Sequence, residues 1–196
     1  MELLMTLGRT MAFSFAAGIN LYATVAILGL ASRFQWVTLP PQFKAFDNDV
    51  VIGVAIVMYA IEFFADKVPY FDSLWDTVHT FVRPVGGAII AVTTLGDSNP
   101  AMQGLAALFG GTLAAGSHFT KAGTRAAVNT SPEPFSNWAL SLFEDVFVVG
   151  LGVLALKQPL IAAAVVIVGL VVIVLCARVI VRAVQRRWNR PKPAMA

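Results

Sequence analysis

Six apolar stretches run along this chain, separated by short connections rich in proline, asparagine and aspartate. The first, Leu3 to Ala31, is interrupted by Arg9 and by Gly18, Asn20, Tyr22 and Thr24. Glycine and polar groups inside a span mark close packing or a local break lining a cavity, so this stretch predicts a transmembrane helix broken near Gly18. A cleaved secretory signal is the alternative, because Gly29 and Ala31 give a small-x-small pattern, but Asn20 interrupts the apolar region and no basic segment precedes it. Ser32 to Asp49 holds Trp36, Pro40, Pro41, Asp47 and Asn48 and reads as a connection with an interfacial aromatic. Val50 to Ala65 is the second span. A third begins at Pro84 and borrows from VHTFV before it, since VGGAIIAVTTL is shorter than the about 20 residues a crossing needs. Gly96 to Pro100 is a turn, with Asp97 or Ser98 as the expected cap of the next helix. Ala101 to Val128, Trp138 to Leu156 and the charge-free Leu160 to Ala177 complete the set.

Composition agrees with that pattern. Of 196 residues, 58% are hydrophobic and 13% charged, against about a quarter charged in soluble domains. Mean hydropathy is +0.76. The expected fold is all-α: a polytopic membrane protein of about six transmembrane helices in one domain over residues 1–182, followed by a basic tail over 183–196. Cys176 is the single cysteine, so no intrachain disulfide or cysteine metal cluster is possible. The net charge of +3 does not point to nucleic acid, because the basic residues gather in RVIVRAVQRRWNRPK beside the last span. That tail is expected to lie on anionic lipid headgroups of the inner leaflet.

Counting lysine and arginine by connection predicts the orientation. With both termini cytoplasmic, Arg9, Lys67, Arg83, Lys121, Arg125, Arg178, Arg182, Arg186, Arg187, Arg190 and Lys192 fall inside, and Arg33, Lys44 and Lys157 outside. A multi-pass protein of the bacterial inner membrane is expected, with a homo-oligomer as a further possibility. Asn129, Thr130 and Ser131 form a glycosylation acceptor that an inside connection would leave unused.

The candidate chemistry lies in charges that have no ordinary place in so apolar a chain. Each ionisable group in a bilayer costs about 2.5 to 3.5 kcal/mol on insertion scales and is therefore paired, turned inward or set on a polar path. EFFADKVPYFDSLWDTVHTFVRP holds Glu62, Asp66, Lys67, Asp72, Asp76, His79 and Arg83. Asp72, Asp76 and His79 recur at helical spacing and share one face. Carboxylates with an imidazole suit a divalent cation or a proton relay, and an interfacial amphipathic helix facing water is the alternative. Ser117, His118, Lys121, Thr124 and Arg125 share a second face, suited to an anion or to neutralising Glu62, Asp66, Glu144 or Asp145 inside the bundle. Glu144 and Asp145, about 100° apart on one helix, are expected to face different surroundings. Pro132, Glu133 and Pro134 read as a tight loop.

FAAGINL falls on LAAGSHF, matching Asn20 with His118, and YAIEFFAD on SLFEDVFV, matching Glu62 with Glu144. With three spans per half, 1–98 and 99–182, this predicts a 3+3 inverted repeat with broken helices 1 and 4, the arrangement of many transporters. AGINLYAT, EFFADKVPYFDSLWDTVHTFVRP, TKAGTRAAVNTSPEPFSN and the Glu144–Asp145 pair resemble the bacterial membrane proteins grouped as domain of unknown function 4126, over about Ala12 to Val181. The resemblance implies a compact multi-pass membrane domain and carries no activity or catalytic residues with it.

The best reading of the residues is a small-solute or ion transporter or channel. Its site would be built from Asn20, Glu62, His118 and Glu144, with Asp66, Lys121, Arg125 and Asp145 as gating or charge-balancing groups. A structural scaffold with a buried ion network is the alternative. A metal-dependent membrane phosphotransferase or hydrolase on Asp72, Asp76, His79 and Arg83 is a third reading, although HExxH, GxSxG, P-loop and dinucleotide fingerprints are absent. No cofactor is evident, and a divalent cation is the one the acidic face would take.

Overall fold

The structure, a computed structural model, describes residues 1–68, 70–130 and 135–188, the side chains of residues 180, 183, 184 and 186–188 excepted. Among the described residues there are only helices: α1 (Glu2–Ile19), α2 (Leu21–Arg33), a 3-10 turn (Pro41–Phe46), α3 (Asp49–Ala65), α4 (Phe71–Leu95), α5 (Pro100–Val128), α6 (Phe135–Lys157) and α7 (Pro159–Trp188). Three are long and apolar enough to cross a membrane: Phe71–Leu95, Phe135–Lys157 and Pro159–Val179.

Asparagines open three of the helices. The side-chain oxygen of Asn20 accepts from the Ala23 amide, that of Asn48 from Val50 and Val51, and that of Asn99 from Met102. Each satisfies amides that the first helical turn leaves without partners. The cap of α5 is thus Asn99, not Asp97 or Ser98, because proline at position 100 fixes the first helical residue and places the cap immediately before it. Pro84 lies inside α4 instead of opening a span. α7 continues from the last apolar run into the basic segment without a boundary at 183. The expected loop over Pro132, Glu133 and Pro134 lies outside the described residues, as do the tail positions Arg190 and Lys192.

The break in the first apolar stretch is real, but its geometry corrects the expectation of one broken span. Asn20 is extended (φ −146°, ψ 99°). A Cβ on Gly8 would meet Pro159, just past the end of α6, whereas Asn20 at the far end of α1 bonds Asp145 near the middle of α6. α6 therefore runs antiparallel to α1. From Asn20 onward the order is reversed: Ile27 lies against Gly152, so α2 runs parallel to α6 and back alongside the direction from which α1 came. α1 and α2 form a re-entrant pair with its tip at Asn20. The Gly18 carbonyl meets Arg83 and Tyr22 meets His79. Arg83 has twelve residues of α4 on either side, about 18 Å each way at 1.5 Å per residue, so the tip ends level with the middle of that helix. The counterpart expected to be broken, α5, is one uninterrupted helix of 29 residues. Close packing on α5 uses Gly110, where a Cβ would run into Ala91 and the Gly87 carbonyl, and Gly18 of α1, where one would run into Ser117 and the Ala114 carbonyl.

The interior is divided along the bundle. Toward the end holding the 3-10 turn it is apolar, with Phe13, Leu28, Phe43, Ile90, Val148 and Val166 fully buried. Toward the α3–α4 and α5–α6 connections it is polar. The outside is greasy, with Phe64, Phe81, Leu108, Phe143, Val146 and Val168 all mostly exposed. An exterior of that kind is suited to lipid rather than water.

Candidate functional site

Helical spacing carries the charges inward. On α4 the buried positions are Asp72, Asp76, His79, Arg83, Gly87, Ile90, Ala91 and Thr94, one continuous stripe that changes from polar to apolar at Gly87. On α5 the stripe runs from Gly110 and Leu113 to Ser117, His118, Lys121 and Arg125, and on α6 from Asn137, Ser141, Glu144 and Asp145 to Val148. Glu62 and Asp66 arrive at the end of α3, fully or nearly fully buried. Asp72, Asp76 and His79 are at most 3% exposed, which rules out the water-facing amphipathic helix.

Three cations and five carboxyls form an alternating chain. Arg83 donates to Glu62 Oε1 at 2.8 Å and its NH1 lies 3.0 Å from Asp76 Oδ1. Lys121 Nζ lies 3.3 Å from the same Glu62 oxygen and 2.7 Å from Asp66 Oδ2. Arg125 lies 3.3 Å from that Asp66 oxygen, 2.5 Å from Glu144 Oε2 and 3.7 Å from Asp72 Oδ2. It also donates to Asn137 Oδ1 at 2.7 Å and to the Asp66 carbonyl at 2.6 Å. With solvent excluded, each cation faces two or three carboxyls, the condition under which a buried charge is tolerated. Asn129 closes the near end by donating to both oxygens of Asp72, at 2.8 and 3.0 Å.

The tip of the re-entrant pair is wired into this chain. Carbonyls at the end of α1 have no helical partners beyond Asn20, and they accept from the network instead: Gly18 from Arg83 at 3.4 Å, Ile19 from Lys121 at 3.2 Å. Cations thus meet the negative end of α1, while Asp145, bonded to the Asn20 side-chain amide at 3.3 Å, sits at the positive end of α2. Ser117 reaches the Phe15 carbonyl at 2.7 Å and ties α5 to α1. A cleft of about 270 Å³ lined by Phe15, Ile19, Leu140 and Phe143 reaches Lys121 and Glu144 from the side of the bundle.

Partner chemistry fixes the two imidazoles. Arginine only donates, so His118 Nδ1, 2.8 Å from Arg83, accepts and the ring is neutral, leaving Nε2–H for Thr80 Oγ1 at 3.1 Å. His79 Nδ1 lies 2.8 Å from the Trp75 carbonyl and must donate, while its Nε2 faces the Tyr22 hydroxyl at 2.9 Å. Neither ring is free to add a ligand without losing one of these bonds.

Asn20, Glu62, Asp66, His118, Lys121, Arg125, Glu144 and Asp145 therefore come together around one tip. Asp72, Asp76 and His79 do not converge: they turn to Asn129, Arg83 and Tyr22 in turn, and among the described residues no group of three or more His, Cys, Asp or Glu side chains is arranged to hold a metal ion. Arg83 is the central residue that the sequence places only in the enzyme alternative and not in the transport site, although it continues the 72–76–79 spacing by one more turn. Four cations counted as inside charges, Arg9, Arg83, Lys121 and Arg125, are buried and do not mark a membrane surface. Outside the candidate spans, the Arg33 guanidinium is held above its ordinary value by its bond to Asp47 at 2.8 Å and then by Asp49 at 2.6 Å, fixing the connection between α2 and α3.

No curated protein and no solved structure matches this chain. The family model described as Domain of unknown function (DUF4126) matches residues 7–179, nearly the whole of the helical bundle just described, and the chain belongs to that family.

Proposed function

We propose that this chain moves a small ion or solute across the bacterial cytoplasmic membrane by way of the charged centre at the Asn20 tip. Asn20, Glu62, His118 and Glu144 are its site, and Asp66, Lys121, Arg125 and Arg83 balance its charge. The observation that supports this most is a pair of helix ends meeting level with the middle of α4 and joined there to buried ion pairs inside an apolar shell. Interrupted helices whose ends meet ions at mid-depth are a recurring way to build a transport site.

In this reading the membrane holds five crossing helices, α3 to α7, and one re-entrant pair, in place of six crossings. The termini then lie on opposite sides, not both inside. Lys67, Arg178 and Arg182 are at one end, joined in sequence by Arg186, Arg187, Arg190 and Lys192; Arg33, Lys44 and Lys157 are at the other. The richer end is cytoplasmic, and the tail rests on anionic lipid there. The inverted repeat does not enter this reading, since α5 is continuous.

Purified protein in liposomes, screened for flux of protons, alkali cations and halides, tests the proposal. Flux above protein-free liposomes that Glu62→Gln and Glu144→Gln abolish is the expected result. Folded protein with no flux of any of them supports a scaffold with a structural ion network, a second reading favoured by the engagement of each cation with several carboxyls at once.

A further inference from the structure

Six buried carboxyls face three buried cations in this centre, and five of the six lie within ion-pair distance of Arg83, Lys121 or Arg125. Asp145 is the exception. It is 6% exposed, and among the described residues no Lys, Arg or His nitrogen lies within 4.0 Å of its oxygens. Its Oδ1 has only the Asn20 amide, and Oδ2 is buried with no hydrogen-bond partner. A carboxylate so placed takes a counter-ion or keeps its proton.

The surroundings choose between these. A metal cation needs several oxygens, but the Asn20 oxygen is committed to the Ala23 amide, so its NH2 group is what faces Asp145. The carbonyls freed at the end of α1 are taken by Arg83 and Lys121. The charged and titratable groups around Asp145 are Tyr59 and Glu62 from α3, Asp66 and Lys67 from the following connection and Lys121 from α5. α7 has no charge between Pro159 and Ala177. The carboxyls of Glu62 and Asp66 oppose a further bare charge and the ammoniums of Lys67 and Lys121 favour one, so burial without an ion pair decides for the proton, while the amide donor disfavours a bound metal.

One cation is positioned to change that. Lys67 is half-buried where α3 gives way to its connection, its ammonium over the Phe63 ring and bonded to the Phe63 carbonyl at 3.0 Å and to Ser141 Oγ at 3.3 Å. Ser141 is one turn of α6 before Asp145, and the Lys67 backbone is pinned by Trp138 at 3.0 Å. Rotation of a lysine stem carries its ammonium across one helical turn.

We propose that Asp145 is the proton-carrying group of this protein and that Lys67 is the counter-cation that moves onto it when the proton leaves. The carboxyl O–H bond breaks, the proton passes to water at the Lys67 end, and the carboxylate left behind pairs with an ammonium that keeps its own protons. The inference rests on the transport reading for its physiological role, but the protonation is tested independently of flux.

Infrared difference spectra of the full-length protein in lipid, recorded between low and high pH, read the carbonyl stretch of protonated carboxyls. The expected result is a titrating band in the parent that is lost in Asp145→Asn and displaced in Asp145→Glu, with Lys67→Met moving the titration to higher pH. A band unchanged in both Asp145 variants overturns the assignment of the proton, and an unmoved titration in Lys67→Met overturns the role of Lys67. Asp145→Glu keeps the test decisive if Asp145→Asn does not fold. In liposomes carrying an internal pH dye under an imposed potential, the parent is expected to acidify the lumen and Asp145→Asn is not. A titrating Asp145 band with no flux of any ion refutes the transport reading and leaves the proton site standing; proton flux that survives Asp145→Asn refutes the site.

Discussion

Arg125, bonded to Glu144, and Asp145, the next residue of α6, carry opposite expectations for stability. Arg125 holds Asp66, Asp72, Glu144 and Asn137 at once, with no exposure to solvent. Replacing it by methionine keeps the volume of the stem but leaves Asp72 with no cation and Asp66 and Glu144 with Lys121 alone, a loss of about 3 to 5 kcal/mol on the scale of broken buried pairs. Thermal or denaturant unfolding in detergent should show Arg125→Met as severely destabilised and Arg125→Lys as intermediate, because lysine keeps the charge and loses the fork. Asp145→Asn, which removes no ion pair, is expected to cost no more than about 1 kcal/mol, the net worth of one hydrogen bond. Equal losses for Arg125→Met and Asp145→Asn would contradict the pairing described. Much of this was readable from sequence: the spacing of Ser117, His118, Lys121 and Arg125 pointed to one face, and their neutralisation by Glu62, Asp66 and Glu144 was among the readings it allowed. Arg83 falls with the enzyme alternative and not with this site because the adjacent Pro84 draws a helix boundary there, while the folded chain runs α4 through the proline. Partners separated by more than a hundred residues, such as Asn20 with Asp145, leave no mark in local spacing.

Among the elements, α1 and α2 depend most on two adjoining features, the cap at Asn20 and the missing side chain at Gly18. At Gly18 the backbones of α1 and α5 are in close approach; a methyl group there meets the backbone carbonyl of Ala114, which has no freedom to move aside. Gly18→Ala should therefore cost about 1 to 3 kcal/mol as overpacking, and Asn20→Ala about 1 kcal/mol for the lost cap. Melting curves check both. An unchanged midpoint for Gly18→Ala would mean that α1 and α5 are not so closely packed. A break near Gly18 was legible in the sequence because glycine and asparagine interrupt an apolar run. The reversal after it was not, since the direction a chain takes beyond one extended residue is set by what the next helix packs on, here α6 and α3. The opposite error occurred in α5, where the match of LAAGSHF to FAAGINL suggested a break that the continuous helix does not have; Gly110 instead serves contact with Ala91 and Gly87.

At the scale of the whole molecule, an apolar exterior encloses an interior that is greasy at one end and charged at the other. Composition alone foretold the membrane setting. The five crossings proposed above were not legible, because α1 with α2 has the length of a broken span and only tertiary contacts reveal that the chain turns back. Parity follows from that turn: N- and C-terminal epitope tags in sealed vesicles should be cleaved by added protease from opposite sides. Tags that fall to protease from the same side would restore six crossings and contradict the re-entrant pair.

The central claim is that the buried charges around Asn20 are a route and not only a brace. Charge movement across a solid-supported membrane carrying the purified protein, with pH, alkali cation and halide stepped one at a time, tests it most directly. The account predicts a current on the pH step that disappears in Glu62→Gln while that variant elutes and melts as a folded protein. A folded parent that gives no current on any step would contradict it.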